Sequence, residues 1–269
     1  MSRLPRFPLG LQQLQGKTVS RREDAAVVRP QRPVQQAALD LARQVLPSGL
    51  GLDSAAVRRR MVDRLRAAGL HNETVLQALR SVERHRFVDS ALANQAYEDT
   101  SLPIGLSQTI SKPSVVGHML ALLFEGAHAR EHGNLGRVLE IGTGCGYQAA
   151  LLLQLGRQVV SIERLQALHE RARDNLAQLR HGDLRLVFGD GMLGHPPRAP
   201  YHSIVAAAGG EQLPKAWLDQ LAVGGRLVAP MHAGNAGGQR LVIVDRGPDG
   251  LSTLHQDAVH FVPLKSGTE

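Results

Sequence analysis

RVLEIGTGCGYQAALLLQLGRQVVSIE, residues 137–163, decides the fold. Its first five residues are a short, mostly apolar run. Glycines at 142, 144 and 146 interrupt it, and an apolar helical stretch follows as far as Gly156. QVVSIE (158–163) then repeats the strand pattern. Strand, glycine turn, helix and strand make a βαβ unit, which requires a parallel sheet. Downstream, a helix is expected from about Leu165 to Arg180, then a strand at LRLVF (184–188) and another at SIVAA (203–207). A helix near 214–221 and strands at GRLVAP (225–230) and RLVIVD (240–245) continue the series. The GPDG turn (247–250) and a last strand near 258–262 predict a closing hairpin with antiparallel pairing. The fold class is therefore α/β, a doubly wound Rossmann-like domain.

Upstream of Arg137 the texture is helical. Asp53 is placed to cap a helix carrying Val57, Met61, Val62 and Leu65, with Gly69 as its stop. Asn72 is placed to cap a second helix bearing Val75, Leu76, Leu79 and Val82, and an apolar helix is expected from Pro113 to Phe124. No periodic strand is expected in this part. The first fifty residues differ again: they hold five of the 14 prolines and seven glutamines. They also hold eight basic and three acidic residues, so +5 of the net +7 lies there. Residues 1–50 read as a disordered basic extension in which only 33–46 could form a helix, with the domain at 51–269. Within that domain, 51–135 is the helical substrate-side segment and 136–269 the cofactor-binding core.

Composition excludes several classes. One cysteine in 269 residues leaves no disulfide framework and no multi-cysteine metal site. The chain shows neither a membrane-spanning run nor an apolar signal core in MSRLPRFPLG, so a cytoplasmic protein is expected. Aromatic residues make up 3%, too few for base stacking along a basic stripe, which argues against nucleic acid as a partner. No heptad or apolar stripe suggests an oligomer, so a monomer is expected.

The glycine run separates cofactors. Dinucleotide folds use G-x-G-x-x-G against a pyrophosphate. Here Gly142-Thr143-Gly144-Cys145-Gly146 gives G-x-G-x-G, with Glu140 two residues before it. S-adenosyl-L-methionine has no phosphate; it carries a carboxylate, an ammonium and a sulfonium. An acid beside the loop suits those cations, and the loop amides could hold the carboxylate. Glu163 ends the second strand, where an acid can accept from both ribose hydroxyls. Asp190, in Gly189-Asp190-Gly191, could accept from the adenine amino group.

With these motifs in place, the chain resembles the protein-L-isoaspartate O-methyltransferase family. The matching stretches are MVDRLRAAGL (61–70), RFVD (86–89), LPIGLSQTISKP (102–113), VLEIGTGCGYQAA (138–150), GDG (189–191), APYHSIV (199–205) and FVPL (261–264). They span about residues 53–265, and PIG-x-x-QTIS is the family-specific signal. The resemblance implies an active-site serine at Ser111 and cofactor contacts at Glu140, Ile141, Gly142, Thr143, Gly144, Gly146, Glu163, Asp190 and Gly191. It implies substrate-side positions at Ile104, Gly105, Gln108, Thr109 and Ile110. It also implies S-adenosyl-L-methionine as methyl donor, S-adenosyl-L-homocysteine as product, and damaged peptides and proteins containing L-isoaspartate as substrate. Methyl esterification of the isoaspartyl α-carboxylate lets a succinimide form, which reopens partly to aspartate. Two departures stand out. Ala206-Ala207-Ala208-Gly209-Gly210 lacks the family's usual proline, and Pro230-Met231-His232 stands where P-V-G is common.

Plainer readings accompany some of these residues. Ser111-Lys112-Pro113 opens a helix, so Ser111 could serve only as its cap. His128-Ala129-Arg130-Glu131-His132 matches a zinc-protease pattern on paper, but it lies in a short connector, and no metal is expected. Cys145 has no evident activating base. Trp217, beside Leu218 and Leu221, reads as core. A methyltransferase of this fold with another acceptor, or a non-catalytic cofactor-binding adapter, remains the competing reading.

Overall fold

The computed structural model describes residues 55–179, 183–232 and 238–269, apart from the Asp257 side chain. The basic extension, the helix at 33–46 and the Asp53 cap lie outside them.

Helix α1 (Ala55–Ala67) buries Met61, Val62 and Leu65 along one face. Helix α2 (Glu73–Ser81) is capped by Asn72, whose side chain accepts from the Val75 amide at 3.0 Å, and it buries Val75, Leu76 and Leu79. A two-stranded hairpin follows, β1 (Leu102–Gly105) and β2 (Gln108–Ile110), paired antiparallel. This corrects the expectation of a strand-free N-terminal third. The strands are only four and three residues long, too short for alternation to show. Helix α3 (Pro113–Phe124) begins with proline in its first turn, and the short α4 (Ala127–His132) leads into the sheet.

The sheet contains β3 (Arg137–Ile141), β4 (Gln158–Glu163), β5 (Leu184–Phe188), β6 (Tyr201–Ala206), β7 (Leu221–His232), β8 (Gln239–Gly247) and β9 (Gly250–Val259). Their spatial order is β5-β4-β3-β6-β7-β8-β9. The first five in that order pair parallel, while β7–β8 and β8–β9 pair antiparallel. Two expectations are corrected here. The antiparallel part begins one strand earlier than the sequence suggested, and the last strand starts directly after the GPDG turn rather than near 258. Polar residues on exposed β9 hide its periodicity.

Helices α5 (Tyr147–Leu155) and α6 (Gln166–Leu176) join the parallel strands on one side of β3, and α7 (Lys215–Asp219) precedes β7. One apolar cluster runs from Met61 and Leu79 through Met119 and Leu123 to Leu151 and Val159, so the helical segment and the sheet share a core. A second cluster, on the opposite face, packs Leu139, Ile162, Ile204 and Leu227 around Trp217. Trp217 is core, and its Nε1 also donates to the Gly191 carbonyl at 2.8 Å, tying the third glycine turn to the sheet. The order in which strands are added reverses at β3: β4 and β5 extend the sheet one way, β6 and β7 the other. Open α/β sheets bind ligands at such a switch point, beyond the carboxyl ends of the strands.

Candidate active site

A cavity of about 840 Å³ opens at that point, within the roughly 300–1,000 Å³ of small-molecule sites. Its floor is the glycine loop. Gly142, Gly144 and Gly146 have φ of 89°, 56° and 93°, values that L side chains rarely adopt. A Cβ on Gly144 would also lie 3.2 Å from Ile104 Cδ1, a tight contact that adds to the backbone's preference for glycine there.

Glu163 fixes the loop. One carboxylate oxygen accepts from the Gly144 amide at 2.8 Å and the other from the Leu165 amide at 3.0 Å. The side chain is nearly enclosed but still lines the cavity, and each oxygen keeps a lone pair for a further donor. Beneath the loop, the Thr143 hydroxyl meets Ser161 Oγ at 2.6 Å, and Ser161 donates to Glu140 at 2.5 Å.

Ten sequence-predicted positions besides Glu163 line the cavity: Ile104, Gln108, Thr109, Ile110, Ser111, Ile141, Gly142, Thr143, Gly144 and Gly191. The β1–β2 hairpin thus brings the QTIS segment against the glycine loop. Four predicted positions do not line it. Gly105 sits in the hairpin bend at φ 91°. Gly146 packs toward Leu176, where a Cβ would come within 2.9 Å of a methyl. Glu140 is wholly buried beneath the loop, and burial pushes its pKa up to about 8, which favours its neutral form. Asp190 caps the short turn after it, accepting from the Met192 amide, while its other oxygen accepts from the Gly267 amide at 2.7 Å.

The loop amides also differ from expectation. Those of Gly142 and Thr143 donate to the Ile162 carbonyl, that of Gly146 to the Thr143 carbonyl, and that of Gly144 to Glu163. In this conformation those four amides hold the loop itself. Ser111 is not the helix cap. Lys112 takes the N-cap position without a side-chain bond, which leaves the Ser111 hydroxyl for another use. Burial raises the Cys145 pKa above its ordinary value, keeping it a thiol.

Sequence reading missed the far wall, formed by Val262, Pro263, Leu264, Lys265 and Glu269. Arg164 pins it, bonding the Gly267 carbonyl at 3.0 Å and the Glu269 carboxylate at 2.9 Å. The FVPL match at 261–264 was the available signal. The two departures from the family pattern meet in space: Gly210 bridges Met231, and Gly209 bridges Pro263 on this wall.

The sequence model for Protein-L-isoaspartate(D-aspartate) O-methyltransferase (PCMT) matches residues 56–269. The chain belongs to this family. A protein-L-isoaspartate O-methyltransferase of Methylibium petroleiphilum is 59% identical across 98% of this chain and 97% of its own length. One of Leptothrix cholodnii is 61% identical across 89% of this chain and 84% of its own. A solved protein-L-isoaspartate O-methyltransferase superposes with a TM-score of 0.69 at 26% identity, covering 78% of this chain and 66% of that one. A Plasmodium falciparum structure in complex with S-adenosyl-L-homocysteine shares the fold, with a TM-score of 0.67 at 19% identity over 77% of this chain and 98% of its own.

In this methyltransferase the His128–His132 stretch, which matches a zinc-protease pattern in sequence, forms part of a ring stack. His128 is stacked between His132 and His202, with ring centroids 4.3 and 3.9 Å apart and interplanar angles of 15° and 20°. Rings stacked face to face do not converge their nitrogens on one point, as a metal requires. Among the described residues no group of three or more His, Cys, Asp or Glu is placed to hold an ion, and no helix is long and apolar enough to cross a membrane.

Proposed function

We propose that this chain transfers a methyl group from S-adenosyl-L-methionine to the free α-carboxylate of L-isoaspartyl residues in damaged peptides and proteins, starting their repair through a succinimide. The observation that carries the reading is one cavity shared by Ser111 of the QTIS segment and the Gly142–Gly144 loop with Glu163. When bound, S-adenosyl-L-methionine supplies an electrophilic methyl on a sulfonium and leaves as S-adenosyl-L-homocysteine. The residues present suit it: glycines that admit close approach, an acid at the end of β4 and an apolar shelf at Ile141 and Ile162.

A carboxylate with a pKa near ~4 is already a nucleophile at neutral pH, so the protein needs alignment more than proton abstraction. Ser111 donates a hydrogen bond to one carboxylate oxygen and leaves the other to attack. Thr109 and Gln108 flank the peptide from the hairpin, and Glu163 accepts from the ribose hydroxyls. The segment 51–135 thus supplies the substrate side and 136–269 the cofactor side. The protein works as a cytoplasmic monomer without nucleic acid, a reading supported by its composition.

The test is label transfer from S-adenosyl-L-methionine to paired peptides that differ only in L-isoaspartate against L-aspartate. Label in the isoaspartyl peptide alone is expected. Label in neither, with cofactor binding intact, would leave another acceptor or an adapter.

A further inference from the structure

Two arginines are buried among the described residues, Arg84 and Arg226, and they are treated oppositely. Arg226 is neutralised: Asp245 grips it through two bonds of 2.7 Å, and Glu125 approaches to 3.4 Å. Arg84 has no solvent exposure, and among the described residues no acid pairs with it. Its Nε donates to the Ala96 carbonyl at 2.8 Å, and one terminal nitrogen donates to the Ser111 carbonyl at 2.7 Å. The other terminal nitrogen, Nη1, has no partner in good hydrogen-bond geometry, and the neutral Tyr147 hydroxyl is the one side-chain group whose interaction with the guanidinium has hydrogen-bond character. The guanidinium lies 4.7 Å from the centroid of the Tyr147 ring, and Tyr147 lines the cavity. Asp99, an acid whose charge reaches Arg84, is committed to the amide and hydroxyl of Ser114 at 2.8 Å each.

An unpaired buried cation is costly, and the strongly basic guanidinium does not escape by losing its proton. Burial does pull its pKa below the ordinary value, opposed by Tyr147. The ring face offers only partial compensation. What lowers the cost further is an anion arriving next door, and the substrate anion arrives at the residue whose carbonyl Arg84 holds.

We propose that Arg84 is the positioning residue for the substrate α-carboxylate: it clamps the Ser111 backbone from behind and supplies the buried positive charge that favours a carboxylate over a neutral group beside Ser111. The inference rests on the reading of Ser111 and the α-carboxylate given above. It separates two roles within a few ångströms, since the Ser111 hydroxyl orients the anion while Arg84 selects for its charge.

The test uses the full-length enzyme saturated with S-adenosyl-L-homocysteine, so that peptides bind without reacting. Affinity is measured for an isoaspartyl peptide and for the same peptide with the α-carboxylate replaced by a carboxamide. Wild type should prefer the carboxylate by about tenfold or more. Arg84→Met should bring that ratio close to one and raise KM for the peptide more than it lowers kcat, with S-adenosyl-L-homocysteine affinity and Tm nearly unchanged. Arg84→Lys, which keeps the charge without the fork, should recover most of the preference. Ser111→Ala, which keeps the carbonyl clamp, should lose turnover and retain the preference.

A folded Arg84→Met enzyme with the wild-type ratio overturns the proposal, as does equal loss of peptide and S-adenosyl-L-homocysteine binding, the mark of a purely structural role. If Arg84→Met does not fold, Arg84→Lys decides: retained preference supports the charge role and a ratio near one overturns it. A wild-type enzyme that methylates isoaspartyl peptides but shows no carboxylate preference also overturns it. A wild-type enzyme that neither binds nor methylates them takes down the underlying reading and this inference together.

Discussion

At the carboxyl end of the sheet, Glu140 lies under the glycine loop with its pKa pushed up to about 8 by burial, which outweighs the Ser161 hydrogen bond. At the amino end, His128 lies between two other imidazoles. Burial first, then the charges of His202 and His132, lower its pKa to about 4. Both groups are therefore uncharged at neutral pH, yet only one end of the sheet is a site. The loop end surrounds open volume with glycines and with an acid, Glu163, that keeps its remaining lone pairs for a ligand. The histidine end is closed by ring against ring, and Gly136 has no room for a Cβ beside His128 and His202. Clustered titratable residues alone do not make a site; convergent groups around accessible space do.

The strongest way to break this contrast is to fill the open end. Gly144→Val adds branching where φ is positive and a Cβ already crowds Ile104, so S-adenosyl-L-homocysteine affinity by calorimetry should fall by at least ~100-fold. Retained affinity would mean that the loop is not the cofactor floor. Ser111→Ala removes one hydrogen bond to a charged group. It should lower kcat/KM for an isoaspartyl peptide by roughly 10- to 100-fold and leave S-adenosyl-L-homocysteine affinity unchanged. Glu163→Gln forces an amide NH₂ toward a backbone N–H, and cofactor affinity should drop about tenfold.

The pH dependences sharpen the comparison further, because the two ends have opposite signs. Glu140 has a folded pKa above its ordinary 4.5, so its contribution is complete below about 4.5 and is lost as pH rises toward about 8. Glu140→Gln should flatten the fall in Tm over that interval while cofactor affinity changes less than about threefold. A large loss of affinity would restore Glu140 as a charged partner of the cofactor. His128 has a folded pKa below its ordinary 6.5, so its contribution is present above 6.5 and is lost as pH falls toward about 4. His128→Phe keeps a ring in the stack without a proton site. It should give the smallest change, a shallower loss of Tm between pH 6.5 and 4 with activity unaltered.

Legibility followed the kind of interaction. The α2 cap at Asn72, the proline start of α3, the glycine loop and the parallel order of the sheet rest on residues adjacent in the chain or on strong periodicity. The β1–β2 hairpin was hidden because its strands are too short for a period to register, and β9 because an edge strand needs no apolar alternation. Within the site, the sequence located the carboxylates but not their state. Glu140 and Asp190 look like ligands on paper, whereas in the fold they stand outside the cavity lining, Glu140 bonded to Ser161 and Asp190 to Met192 and Gly267.

By itself, then, the sequence determined the α/β class, the S-adenosyl-L-methionine loop and the family, since glycine spacing and strand–helix alternation are local steric requirements. Tertiary structure alone decided which acids face the cavity, which loop amides are already committed and which buried arginine lacks a counter-ion. Each of those depends on burial and on partners far away in the chain, 77 residues for Asp190 and Gly267 and 101 for Arg226 and Glu125. Desolvation and long-range pairing are properties of the folded packing and leave no periodic mark on the chain.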